Sequence, residues 1–227
     1  MSGLAALLPP DAWRTLVREG HPREFAPGDV LLRQGEEGSF VLLLAAGNVK
    51  VARSERDGRE IVLALRGPGE ALGEISAWDG SRRSATVIAL SSCLVHVVSA
   101  ERFRNTVRAF DAEETVLCHV LARLREGEDA RADLADLPAH ERFVRLLLRL
   151  AGAIAPEGSP RVDLGLSQED LARAAGLSRS AVAAELSRLR GLGLIRTGRL
   201  RVVLCDLPAL RALADRDDRI RDGRTTG

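Results

Sequence analysis

Two short stretches carry side chains of the right type and spacing to handle an anion. Gly73-Glu74-Ile75-Ser76 is followed, across the turn Asp79-Gly80, by Arg83-Ser84-Ala85. Arginine makes charge-assisted hydrogen bonds to phosphate oxygens. Backbone N–H groups near Gly73 and Ser84 add donors to an anion nest. A carboxylate only accepts, so Glu74 suits a hydroxyl rather than the phosphate itself. The pair reads as a holder for a hydroxylated phosphate, and the plain alternative is a mutual Glu74–Arg83 salt bridge.

A second constellation lies further along. Ser167-Gln168-Glu169-Asp170 has the form of a capping box, in which Ser167 caps the third helical residue and Asp170 reaches back. The helix it starts runs through Leu171 and Ala174; Gly176 permits a tight turn, and Ser178 caps a second helix with Val182, Leu186 and Leu189 on one face. Two short capped helices around a glycine turn form a helix-turn-helix. Gly191 to Leu204 then reads as a hairpin with a basic tip, a wing. In such a unit the second helix enters the major groove with its N-terminal residues at base edges, which here are Arg179 and Ser180. Arginine pairs bidentately with guanine. Arg188, Arg190, Arg196, Arg199 and Arg201 are candidates for phosphate contacts, which give affinity without sequence information.

The elements that must position these residues follow from periodicity. Residues 21–98 break into short β-rich runs, Val30–Leu32, Phe40–Leu44, Val49–Ala52, Ile61–Leu65, Thr86–Ala89 and Leu94–Val98, separated by turns such as Pro27-Gly28-Asp29, Gly47-Asn48 and Asp57-Gly58. Turn residues recurring between short apolar runs predict an all-β sandwich or barrel, preceded by a helix over 11–19. From Ser99 the helical period takes over. Leu117, Leu121 and Leu124 form an apolar stripe that is interrupted at Gly127-Glu128-Asp129 and resumes at Leu134, as the seam of a homodimer requires. Pro138 ends that helix. The expected divisions are a sensor barrel over 1–110, a dimerisation helix and hinge over 111–137, a winged helix-turn-helix over 138–217 and a disordered tail over 218–227.

Bulk properties agree. Formal charge is −4 over residues 1–138 and +4 over 139–217, so the second half is the one suited to a polyanion. No stretch has the roughly 20 apolar residues of a membrane span. Met1–Pro10 lacks the basic region of a secretory signal. The three separated cysteines, Cys93, Cys118 and Cys205, suit a reducing cytoplasm. Cys93 with His96 and Cys118 with His119 are spaced so that each pair diverges, so no metal site is expected. There is no nucleophile elbow, phosphate-binding loop of the nucleotide-hydrolase kind or zinc-protease helix, and no enzyme is expected.

With these residues assembled, the chain from about Phe25 to Leu213 resembles the cyclic AMP receptor protein / fumarate-nitrate-reduction regulator family of transcription factors. The most specific match is Gly73-Glu74-Ile75-Ser76-Ala77-Trp78-Asp79-Gly80-Ser81-Arg82-Arg83-Ser84-Ala85-Thr86, which is similar to the phosphate-binding cassette of cyclic-nucleotide domains. The resemblance implies an α+β chain: an N-terminal jelly-roll barrel of the cyclic-nucleotide-binding type, a long dimerisation helix and a C-terminal winged helix-turn-helix. It implies that Glu74 accepts from a ribose hydroxyl, and that Arg83 with Ser84 holds a cyclic phosphate. Gly73, Ile75, Ser76, Ala85 and Leu124 complete the ligand set. Ser167, Gln168, Ser178, Arg179, Ser180, Arg188 and Arg199 would form the DNA-binding set. The ligand implied is a cyclic nucleotide, cyclic AMP first, with cyclic GMP or cyclic di-GMP as alternatives. The partners implied are double-stranded DNA and a second copy of the chain, with RNA polymerase as a further partner and no membrane.

Two departures matter. Where the family places polar residues midway along the long helix to reach the base, this chain has Gly127-Glu128. A mid-helix glycine costs about 1 kcal/mol relative to alanine. Glu128 is expected to face the base and to accept from an amine or a guanine N–H edge. On the recognition helix Arg179 is followed by Ser180, and Ala184 stands where many relatives have a second arginine, so the preferred half-site is expected to differ from the family's commonest one. Two alternatives remain beside the ligand-responsive regulator: a constitutive DNA-binding protein whose barrel is a scaffold, and a nucleotide-binding module acting on a protein partner.

Overall fold

The computed structural model describes residues 3–55, 58, 60–155, 159–198 and 201–224, and divides into two compact units, Met1–Glu128 and Asp129–Gly227. In the first unit α1 (Leu4–Leu7) and α2 (Pro10–Glu19) precede β1 (His21–Phe25), β2 (Val30–Leu32), β3 (Phe40–Ala46), β4 (Val49–Ser54), β5 (Glu60–Arg66) and β6 (Ala71–Leu72). Then come α3 (Glu74–Asp79), β7 (Thr86–Ala89), β8 (Cys93–Ser99), α4 (Ala100–Ala109) and α5 (Glu113–Asp136). The unit boundary falls inside α5.

The strands form two antiparallel four-stranded sheets, ordered β1-β8-β3-β6 and β2-β7-β4-β5. Alternate residues decide what each face covers. Leu42, Leu44, Leu72, Cys93 and Val95 of the first sheet meet Leu31, Leu32, Val49, Val87 and Ala89 of the second in one core. Val41, Leu43 and Val98 point the other way, onto Leu4, Leu8, Leu16, Phe103, Val107 and Val116 of the surrounding helices. This explains why Val41-Leu42-Leu43-Leu44 is apolar without alternation: both faces of β3 are buried. β1 is the reverse case. As an edge strand it exposes four of its five residues, so only its pairing with β8 marks it as a strand.

Along α5 the apolar stripe stands out from the unit: Leu117, Leu121 and Leu124 are 57%, 39% and 55% exposed. The helix is continuous through Gly127, so the interruption is of the stripe alone. Strong helix formers (alanine, leucine, arginine, glutamate) surround that glycine and outweigh its cost. Among the described residues no helix is long and apolar enough to cross a membrane.

The second unit holds the last turns of α5, then α6 (Ala139–Ile154), β9 (Val162–Asp163), α7 (Gln168–Ala175), α8 (Arg179–Gly191), β10 (Ile195–Gly198), β11 (Arg201–Leu204) and α9 (Leu207–Arg224). The small sheet runs β10-β11-β9. Buried Phe143, Leu147 and Leu150 of α6 form the centre against which α7, α8 and α9 pack. Asp133 of α5 pairs with Arg145 at 3.5 Å and Arg149 at 3.1 Å.

One expectation is corrected. The tail 218–227 is not irregular from its start, because α9 runs to Arg224. Its sequence sets opposite charges three and four residues apart, as with Asp218 and Arg221 or Asp217 and Arg221, a spacing that favours a helix. Asp57 of an expected turn, Pro156 of an expected loop, and Arg199 and Leu200 at the wing tip lie outside the described residues.

Candidate functional site

Gly73 has φ +82° and starts α3 from the left-handed region. A Cβ on Gly73 would overlap Arg83 Nη1, so glycine is needed for the backbone and for the approach of the arginine. Arg83 Nη1 donates to Gly73 O and to Ser76 Oγ, both at 2.8 Å, and Nη2 donates to Phe40 O at 2.5 Å. The guanidinium also lies over the Phe40 ring, 4.9 Å from its centroid. Arg83 is 4% exposed, and burial pushes its pKa down from the usual range. Gly73, Ser76 and Arg83 are thus in direct contact, and the Glu74 charge lies near enough to act on Arg83. Ser84 and Ile75 are exposed beside them, and Ala85 is half-buried.

The plain alternative, a Glu74–Arg83 salt bridge, is not what forms. The Glu74 carboxyl takes Arg123 of α5 rather than Arg83. Arg123 Nη2 also donates to Glu70 at 2.6 Å and to Ala71 O at 3.2 Å. From Glu70 the cluster extends to Arg66 at 4.0 Å and to His119 Nε2 at 3.3 Å, the latter without a well-aligned hydrogen bond. Arg66 continues to Glu126 at 2.8 Å. Burial raises the Glu70 carboxyl, but His119 and the guanidinia of Arg123 and Arg66 outweigh it and bring its pKa to about 2. Burial lowers Arg123, and the Glu74 and Glu70 carboxylates outweigh that to raise it.

These residues escaped the sequence reading, although a signal existed. Val116, His119, Arg123 and Glu126 recur at spacings of three, four and three, so they mark the barrel-facing side of α5 beside the leucine stripe. Leu124 and Glu128 are exposed on α5 and are not brought to the cassette within one chain. An added Cβ at Gly127 would meet nothing within 4 Å.

In the second unit the local signals are realised. Ser167 Oγ accepts from the Asp170 N–H at 3.0 Å, and Asp170 accepts from the Ser167 N–H at 3.1 Å. Gly176 closes α7 at φ +60°, and Ser178 Oγ accepts from the Ala181 N–H at 3.2 Å to start α8. Val182, Leu186 and Leu189 are buried, which leaves Arg179, Ser180, Ala183, Ala184 and Ser187 on the exposed face. Gln168 is exposed on the first turn of α7. The expected phosphate contacts are unequal. Arg188 is half-buried against Glu185 at 2.9 Å, and Arg201 pairs with Asp163 at 2.5 Å, whereas Arg190 and Arg196 are exposed. Arg199 lies outside the described residues. β10 and β11 pair as the predicted hairpin.

Comparison with known proteins agrees with both halves. Residues 22–110 match the cyclic nucleotide-binding domain and residues 141–213 the Crp-like helix-turn-helix domain. The chain is 31% identical over 181 residues to the cyclic AMP receptor protein of Thermus thermophilus, covering 78% of this chain and 80% of that one. It is 29% identical over 212 residues to a CRP-like cAMP-activated global transcriptional regulator of Mycobacterium tuberculosis, covering 90% and 93%. Among solved structures, a CRP-family transcriptional regulator of Thermus thermophilus superposes with a TM-score of 0.66 at 29% identity, covering 85% of this chain and 96% of that one.

Proposed function

The chain belongs to the cyclic AMP receptor protein / fumarate-nitrate-reduction regulator family of DNA-binding transcription regulators, and from that premise we propose that it is a homodimer whose hold on DNA is set by a cyclic nucleotide in the barrel. The observation that carries this reading is the buried Arg83 guanidinium beside Gly73, Glu74 and Ser76. Three of its five N–H groups are committed to protein acceptors, so a cyclic phosphate entering here takes the remaining donors or displaces a carbonyl. Glu74 is the acceptor for a ribose hydroxyl, with Ser84 and Ala85 beside the phosphate. Cyclic AMP is the first candidate, since the Thermus and Mycobacterium relatives are named for it.

The exposed stripe of Leu117, Leu121, Leu124 and Leu134 is the proposed seam. Four large apolar side chains left in water on one helix favour pairing with a second copy. Leu124 and Glu128 lie one turn apart on α5, placed to meet a ligand where two such helices meet. A two-fold dimer then presents two α8 helices to half-sites about one DNA turn apart. The ligand acts by binding differently to two arrangements of the α5 pair. Residence in the cytoplasm follows from DNA as the partner.

A second reading is favoured by the Glu74–Arg123 pair and the three protein acceptors on Arg83, which partner both charged groups of the cassette internally. On that reading the barrel is a scaffold and DNA binding is constitutive.

Calorimetric titration of the full chain with cyclic AMP, cyclic GMP and cyclic di-GMP separates the two, with Trp78 fluorescence as a check. We expect saturable binding to one of them. Arg83→Ala is expected to weaken it by roughly tenfold to a hundredfold, the worth of hydrogen bonds to a charged group. Glu128→Ala is expected to change the preference between the adenine and guanine nucleotides. No heat with any of the three from a folded dimer, together with tight DNA binding, selects the constitutive reading.

A further inference from the structure

Arg179 stands at the first position of α8, and its guanidinium is not loose. Glu169 Oε1, on the first turn of α7, lies 2.8 Å from Arg179 Nη2 and also pairs with Arg173 one turn along its own helix. Both ends of the Glu169–Arg179 pair spring from rigid backbone. The Ser167–Asp170 box fixes the start of α7, Ser178 fixes the start of α8, and buried Leu171, Ala175, Val182 and Leu186 hold the helices together.

The rest of the groove-facing surface gives the pair its weight. Between residues 179 and 187 the exposed side chains other than Arg179 are Ser180, Ala183, Ala184 and Ser187, all short. Arg179 is thus the one long cation on that face of those turns. Its side chain is 78% exposed, so in front of a duplex the nearest phosphate competes for it. A phosphate contact carries no sequence information, whereas a bidentate contact to guanine does. Hydrogen bonds from Arg173 and Arg179 hold the Glu169 carboxyl below the usual range.

We infer that Glu169 is the positioning residue for Arg179: it holds the guanidinium towards the base edges against the pull of the phosphates and makes α8 selective rather than merely adhesive. The inference rests on the reading that α8 enters the major groove. Glu169 occupies one of the five N–H groups of Arg179, so a guanine edge can still take two. The same carboxylate stands at the rim of the DNA-facing surface and repels any duplex bound out of register, a repulsive element of the kind that specific interfaces use.

The test uses the full chain with and without cyclic AMP. Selection from a random duplex pool gives the wild-type site, and the base pair at which Arg179→Ala loses its preference identifies the pair that Arg179 reads. At that pair, Glu169→Gln and Glu169→Ala are expected to lose roughly fivefold or more of the wild-type discrimination, part of what a good bidentate pair supplies. Binding to an unrelated duplex is expected to tighten, and the slope of log affinity against log salt to steepen by about one as Arg179 turns to a phosphate. A role limited to stapling α7 to α8 would lower the melting temperature and leave discrimination and slope alone. A Glu169→Gln variant that matches wild type in both overturns the inference. A wild type with no selective site overturns the groove reading itself, and the role of Glu169 with it.

Discussion

Arg123→Ala is expected to lower the stability of the first unit by about 3–5 kcal/mol, the usual cost of removing one partner from a buried ion pair. Arg123 bonds two carboxyls at once, and Glu74 and Glu70 are only 2% and 9% exposed. Without the guanidinium Glu74 loses its ion-pair partner in a site from which water is largely excluded, Glu70 is left with Arg66 at 4.0 Å and His119 at 3.3 Å, and the Ala71 carbonyl loses a donor. The chain has two tryptophans, Trp13 and Trp78, and both lie in the first unit, so their fluorescence during urea unfolding reports that unit. The carboxyls left short of a partner, not the lost packing, are the expected cause. The triple variant Arg123→Met with Glu70→Gln and Glu74→Gln should therefore recover more than half of the loss, since it neutralises Arg123 together with both of its carboxyls, while Arg66 keeps Glu126 at 2.8 Å. A loss below about 1 kcal/mol for Arg123→Ala would mean that water reaches the two carboxyls, and that the cluster does not hold α5 to the barrel.

Acid should release the same cluster through Glu70. The folded carboxyl titrates near 2, against 4.5 for the free side chain. A depressed carboxyl contributes stability that is complete above the unfolded value and disappears as pH falls through the folded one. The window is therefore pH 4.5 down to about 2, and the contribution lost across it is about 3 kcal/mol. Other carboxyls titrate there too, so the reading is a difference. Glu70→Gln should start less stable than wild type at pH 7 and show a shallower acid limb, with the two curves converging towards pH 2. Parallel limbs for the two proteins would show that Glu70 is not held by His119, Arg123 and Arg66 as a charge.

The two signs of charge in that cluster also bear on ligand response. Glu74 is at once the acceptor proposed for a ribose hydroxyl and the partner of Arg123, a residue of the helix that carries the leucine stripe. A ligand hydroxyl that bonds Glu74 shares its carboxyl with Arg123, so contiguous hydrogen bonds would link the ligand to α5. In the proposed dimer, a ligand that binds Glu74 more tightly in one arrangement of the α5 pair than in the other would shift the balance between them.

Much of the architecture is legible without coordinates because its signals are local. The capping box at Ser167, the cap at Ser178 and the glycine at 176 each act over three or four residues, and all three are formed where they were expected. The barrel strands follow from apolar runs between turns. Those missed have reasons: β1 is polar because it is an exposed edge, β6 has two residues, and α3 is a six-residue helix within the cassette. The leucine stripe of α5 is read from a spacing of four and three, which a helix converts directly into one face.

The two domain types, the capped helix pair, the stripe on the long helix and the cassette from Gly73 to Thr86 are legible in the sequence alone, because each is written in local motifs and spacings. Only the tertiary structure decided the partners of the charged groups. Glu74 and Arg123 are 49 residues apart in the chain, and Glu70 and Arg123 are 53 apart. Periodicity says that a face is buried but not which long, flexible side chain will reach across it. That depends on how the barrel closes against α5, and on the requirement that every charge taken out of water find an opposite one. The same holds for Glu169 and Arg179, whose meeting depends on the angle at which α7 delivers its first turn to the start of α8.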